Sequence, residues 1–281
     1  MSKYQTQPHS IEIRTRTNHD WTSEHKADLL AVEEPLEIRI RHRQAEQALS
    51  VTMRTPGHDR ELALGFLFGE GIIRSADQVL STDESNSEDE ALLGQRITVC
   101  LTDECDFDLA KLERHFYTTS SCGVCGKSSI DAVKIACPIS VQAELFNVSN
   151  AAIAQLPEAL KNYQSAFEQT GGIHAAAFFD SRGVIVQARE DVGRHNALDK
   201  LNGWALSSGQ IPAVKHGLLL SGRASFELIQ KASMAGVPMI VAVGAPSSLA
   251  VELAEELNIT LVGFTKTHRF NVYSAAERIQ A

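Results

Sequence analysis

Cys122 and Cys125 stand in the string Ser120-Ser121-Cys122-Gly123-Val124-Cys125-Gly126-Lys127, a C-x-x-C that opens a predicted helix. A thiol in the first turn of a helix faces unpaired backbone N–H groups and the positive end of the macrodipole, which favours thiolate over thiol. Cysteines so placed can titrate as low as ~3.5–7.5, and Lys127 adds to the field. Nucleophilic sulfur chemistry is therefore the preferred reading. A four-cysteine zinc site fits poorly, because four residues separate Cys100 from Cys105 and Cys137 has no partner. A thioredoxin-type pair matches the spacing, but strands and helices come in the wrong order for that fold. Two packed structural cysteines are disfavoured by the flanking glycines, which leave the thiols little cover. A zinc deaminase joins P-C-x-x-C to an upstream H-x-E. This sequence has no H-x-E, and Ser121 stands where the proline would be.

A second set of residues lies where a fold of the expected kind would hold a ligand. In the last third, HGLLLSG, PMIVAVG and ITLVGF read as strands without alternation, separated by the helical stretches ASFELIQKASMAG and SSLAVELAEEL. Such strands are buried on both faces, so the run predicts a βαβαβ unit on a parallel sheet. Ligands bind at the carboxyl ends of parallel strands. The residues there are Ser221, Gly222 and Arg223; residues 244–248, with Ser247 opening a helix; and Phe264, Thr265, Lys266, Thr267, His268 and Arg269. Upstream, IHAAAFFD and VIVQARE predict a hairpin, and Asp191 is read as the cap of a following helix. His195 on that helix either lines the pocket or packs. His174 opens a strand and is read as structural. Arg194 and Arg223 hold phosphates or form surface salt bridges. Nothing in the spacing brings Asp180 and Glu190 together as a catalytic pair.

The N-terminal part reads differently. Residues 1–26 are polar without a sustained period and are expected to form a flexible tail. PLEIRIRHRQ and ALSVTMRTPG alternate as two hairpin strands, a short helix covers 60–70, and 95–101 is a strand. Residues 81–90 carry five carboxylates and no apolar side chain, which predicts a solvated loop. A polar-faced helix is expected over 148–170. The division that follows is a tail (1–26), an N-terminal α+β subdomain (27–117) and an α/β domain (118–281) carrying the cysteine loop and the ligand pocket.

Composition bounds the function. In 281 residues, 26 basic side chains stand against 35 acidic ones, a net charge of −9. Such a surface disfavours nucleic acid and anionic membranes, though not a local anion pocket. No apolar run approaches the roughly 18 residues of a membrane helix, and the opening lacks a signal peptide's apolar centre. A cytoplasmic protein with mostly reduced thiols is expected.

With these blocks in hand, the sequence resembles the FdhD-type formate dehydrogenase accessory sulfurtransferase family. The resemblance spans 35–274 and rests on ELALGFLFGEGII (61–73), SSCGVCGK (120–127), GGIHAAAFFD (171–180), REDVGRHNALDK (189–200), SGRASFELIQKA (221–232), and VGAPSSLAVELAEEL through GFTKTHRFNVYS. It implies an α/β fold with a cytidine deaminase-like mixed sheet, flanking helices and a smaller β-rich N-terminal subdomain. It also implies a sulfur carrier that takes persulfide sulfur from a cysteine desulfurase. Delivery is to the molybdenum bis(molybdopterin guanine dinucleotide) cofactor needed by formate dehydrogenase, bound as a substrate with no resident metal. Cys122 would carry the persulfide and Cys125 would be its companion. The guanine nucleotide end of the cofactor would meet 264–269 together with Ser221, Gly222, Arg223 and Ser247, whose small and basic types suit phosphates. A homodimer is compatible with the sequence. A carrier whose cysteines are only structural is the rival of a different class.

Overall fold

The computed structural model describes residues 5–86, 95–105 and 146–281. Cys122, Cys125, Cys137 and the boundary expected near 114–117 lie outside these residues. On either side of that boundary the chain builds on one apolar core. Strands β3 (Glu34–His42), β4 (Ala45–Arg54), β5 (Val79–Asn86) and β6 (Gln95–Leu101) form a sheet in the order β4-β3-β6-β5. The alternation of LEIRIRH explains β3. Leu36, Ile38 and Ile40 are buried against helix α1 (Asp59–Gly69), while Arg39 and Arg41 turn outward and pair with Glu46.

The larger sheet has six strands in the order β13-β12-β11-β10-β8-β9. They are β8 (His174–Phe179), β9 (Ile185–Asp191), β10 (Gly217–Leu220), β11 (Met239–Ala242), β12 (Thr260–Lys266) and β13 (Arg269–Ser274). As expected from their unbroken apolar character, β10, β11 and β12 are parallel. Strands β8 and β13 join them antiparallel, so the sheet is mixed. Helices α4 (Arg194–Ser207), α5 (Phe226–Met234) and α6 (Ser248–Glu256) contribute Leu198, Leu201, Leu228 and Ala250 to the core shared with β3 and α1. A separate cluster on the other face joins Ile153, Leu156 and Leu160 of α2 (Asn150–Lys161) to Leu219, Val241 and Val262. Two covered faces are why these strands do not alternate.

Three sequence expectations need correction. Residues 6–31 are a hairpin, β1 (Thr6–Thr17) with β2 (Asp20–Ala31), rather than a tail. Asn18 and His19 supply the two positive-φ positions of its tight turn, and nearly every strand residue is exposed, so no burial period marks the sequence. The acidic stretch is not a loop as far as Asn86. It forms β5, where Asp83 is held by Arg41 of β3 at 2.9 Å; residues 87–90 lie outside the described set. The helix expected over 148–170 is divided into a short strand β7 (Val148–Ser149), α2 and α3 (Ser165–Thr170). Glu190 of β9 accepts the N–H groups of Ala166 and Phe167 at 3.1 and 3.0 Å, which starts α3 anew.

Glu61 and Arg189 tie helix α1 to strand β9 of the six-stranded sheet, with Nη2 donating to Oε1 at 2.8 Å. Burial works against the ionised carboxylate, but Arg189 and then His58 outweigh it and bring Glu61 from 4.5 to about 2. A carboxylate depressed on folding stabilises the protein above its unfolded value, and that stabilisation is lost as pH falls from 4.5 toward 2. Glu61→Gln should thus cost about 2 kcal/mol at pH 7, allowing for screening at its open side. Urea midpoints of wild type and variant should converge near pH 2; a constant gap would refute the assignment.

Candidate functional site

The site begins with strand polarity. Because β8 runs against β10, and β9 against β8, the carboxyl ends of β9, β10, β11 and β12 and the amino end of β8 share one edge. Each of α4, α5 and α6 follows one of these carboxyl ends, so all three N-termini, the positive ends of their dipoles, meet there. Backbone hydrogen bonds stitch the expected ligand residues together. Ser221 N donates to Ala175 O at 3.0 Å, Gly244 N to Gly222 O at 2.9 Å and Phe264 N to Gly244 O at 3.0 Å. A Cβ on Gly244 would sit 2.9 Å from Gly222 O and 3.0 Å from Arg223 N, so glycine is what lets the first two ends close.

Not every expected residue plays the same part. The Ser247 hydroxyl accepts Ala250 N–H at 3.3 Å and caps α6, and the Ser221 hydroxyl accepts Ala175 N–H at 2.8 Å. Thr265 is buried with its hydroxyl on Ala242 O. Lys266 and Arg269 face each other across β12 and β13, with Thr267 and His268 as the turn between them. The last β11–β12 pair is Val241 with Val262, so these four exposed residues project beyond the edge rather than floor it. Phe264 bridges the two regions in a left-handed conformation (φ 52°) beside an irregularity in the ladder, and it is 39% exposed. A bulky side chain held there is strained backbone of the kind that clusters at functional sites.

The structure also assembles groups that sequence reasoning weighted low. His174, Arg194, His195 and Arg223 interact at this edge. His195 Nε2 lies 2.9 Å from Glu227 Oε2 of α5 and 3.4 Å from Ser225 Oγ. Burial first, then Arg194, His195 and Arg223, push His174 below the ordinary histidine range, against the pull of Asp191. Among the described residues no side chain caps α4 or α5, and the buried Nε of Arg194 finds no hydrogen-bond partner. Two guanidiniums and free N–H groups at two helix starts give this edge the chemistry that suits an anion, and phosphate matches it best. The detectable signal was position: three of these four basic residues follow or open a strand end.

Asp191 is not the helix cap expected from sequence. It ends β9, α4 starts after Gly193, and its carboxylate takes the fully buried Lys200 ammonium at 2.7 Å together with the N–H groups of Thr55 and Gly193. Asn196 bonds Asp191 and Met53 O, which locks the 191–196 turn carrying Arg194 and His195 onto β4. Cys105 is buried beside Thr102, and Cys100 is half-buried at 3.4 Å from Arg41.

Comparison with known proteins bears on the whole chain. The family model described as FdhD/NarQ matches residues 31–280. A Nocardia farcinica protein named sulfur carrier protein FdhD is 46% identical over 256 residues, covering 91% of this chain and 90% of the relative. A relative of the same name from Mycolicibacterium paratuberculosis is 48% identical, covering 90% and 93%. One from Picrophilus torridus is 42% identical, covering 90% and 92%. A crystal structure from Desulfotalea psychrophila, assigned as a formate dehydrogenase accessory protein, superposes with a TM-score of 0.70 at 21% identity, covering 97% of this chain and 99% of that one, and so shares the fold.

Proposed function

The chain belongs to the FdhD/NarQ family, and from that premise we propose that it is a sulfur carrier serving formate dehydrogenase. The observation that carries this reading is identity above 40% with proteins named sulfur carriers over about nine-tenths of both chains. In the reaction proposed, the Cys122 thiolate attacks the outer sulfur of a persulfide on a cysteine desulfurase. The donor's S–S bond breaks, the donor cysteine leaves as thiolate, and a new S–S bond forms on Cys122. Cys125 is the companion thiol that relays or releases the outer sulfur. The recipient is the molybdenum bis(molybdopterin guanine dinucleotide) cofactor, bound as substrate with its phosphates at the carboxyl edge, where the cluster of basic residues and the uncapped helices α4 and α5 suit them. Lys266 and Arg269, projecting past that edge, are proposed to hold the cofactor from its open side. The mixed sheet with three parallel strands supports a deaminase-like scaffold turned to this use. No helix among the described residues is long and apolar enough to cross a membrane; we place the reaction in the cytoplasm.

Intact-mass measurement after incubation with a desulfurase and cysteine tests the reading. The expected gain is one sulfur, about 32 Da, removable by a thiol reductant and absent in Cys122→Ala. The same gain in that variant would move the role to another cysteine. Arg269→Ala should load sulfur normally yet fail to activate formate dehydrogenase, because its proposed role is to hold the cofactor and not to supply or activate the thiol. Loss of loading with nucleotide affinity retained would reverse this division.

A further inference from the structure

Resting on the reading that the carboxyl edge receives the phosphates of the cargo, we propose that phosphate binding there is coupled to uptake of one proton by His174. The imidazole is part of the wall of the site: a Cβ on Gly222 would lie 3.2 Å from its Nδ1. The charged groups that face it come from every neighbouring element. Asp191 is its partner in the β8–β9 ladder, Arg194 and His195 belong to α4, and Arg223 follows β10. The Asp191 charge is already matched by Lys200 at 2.7 Å, and Glu227 of α5 is engaged by His195 at 2.9 Å. What remains around His174 is two guanidiniums and partial burial, both of which oppose a further positive charge.

A phosphate at this edge reverses that balance. It accepts from the free N–H groups at the starts of α4 and α5, and its charge offsets that of Arg194, the first residue of α4, whose Nε has no partner among the described residues. Two negative charges beside His174 then favour imidazolium over imidazole. The proton comes from the buffer, whose conjugate base is left behind, and no other bond changes. Linkage fixes the sign: affinity falls as pH rises, by at most tenfold per unit, between the free and bound titration ranges of His174. Cargo would be held more tightly at lower pH and released more readily at higher pH.

GDP is the probe. Calorimetric titrations of the full chain at one pH, in two buffers of different ionisation enthalpy, give the number of protons exchanged. Wild type should take up as much as one more proton than His174→Gln, a difference that cancels the protonation of the phosphate itself. The variant should still bind, keeping only the pH dependence that the phosphate's own ionisation gives it. In wild type, the His174 imidazole resonances should move toward the protonated position when GDP is added, a readout that does not depend on how the variant folds. Binding with equal proton uptake in both proteins, or with no movement of those resonances, would overturn the coupling and leave the anion site standing. Failure of wild type to bind GDP at millimolar concentration would overturn the site itself, and the coupling with it.

Discussion

Gly65→Ala and Gly203→Ala should each lower the thermal midpoint by roughly 6–12 °C, although alanine is the better helix former at both positions. Both glycines lie inside helices, Gly65 in α1 and Gly203 in α4, and each faces the backbone of the other helix. A Cβ on Gly65 would fall 1.8 Å from Asp199 O, and one on Gly203 would fall 1.9 Å from Glu61 O. No rotamer relieves a clash between two main chains, so the helices must separate. Helix propensity alone favours alanine by about 0.8–1.0 kcal/mol. Overpacking typically costs about 1–3 kcal/mol and occasionally more, and backbone against backbone is its least forgiving form. A net loss near 3 kcal/mol corresponds to the stated shift at about 2–4 °C per kcal/mol. The two substitutions should not add, because the first already opens the crossing that the second would need. A variant as stable as wild type would mean that α1 and α4 do not approach as described.

The same crossing shows where the sequence speaks and where it does not. The alternation of LEIRIRH and the unbroken strands of the last third carry their burial in their letters, so β3, β10, β11 and β12 and the shared carboxyl edge are legible in the sequence. The hairpin β1–β2 was not, because its side chains are exposed on both faces and its order comes from backbone pairing and the Asn18-His19 turn. Nor was β5: its carboxylates argue for solvent, and only the fold puts Arg41 beside Asp83. The cluster of basic residues was hidden for a topological reason. His174 and His195 are 21 positions apart and Arg223 is farther still, and they meet because β8 inserts antiparallel between β9 and β10. Glu227, which anchors His195, looked like any acidic residue in the first turn of a helix. Cys122 and Cys125 stand on sequence and family alone, since they fall outside the described residues.

Lys200→Met should be among the most damaging single changes outside the cysteine segment, lowering stability by about 3–5 kcal/mol. Lys200 and Asp191 are both fully buried, with Nζ 2.7 Å from Oδ2, and the ammonium also donates to Thr55 O at 2.8 Å. Removing the lysine leaves a fully buried carboxylate without a counter-charge, a far larger penalty than the lost contact alone. The damage should extend to binding. Asp191 also holds Gly193 N–H and Asn196 Nδ2, which shape the turn before α4, so a displaced carboxylate should move Arg194 and His195 away from the proposed phosphate site. Urea denaturation of Lys200→Met, Asp191→Asn and the double variant forms a cycle in which the double should lose clearly less than the two singles together, because it removes both charges at once. In GDP titrations the single Lys200→Met, measured where it is still folded, should bind at least tenfold more weakly than wild type, about 1.4 kcal/mol. Additive losses, or unchanged GDP affinity in the folded variant, would show that the buried pair neither couples nor positions the turn.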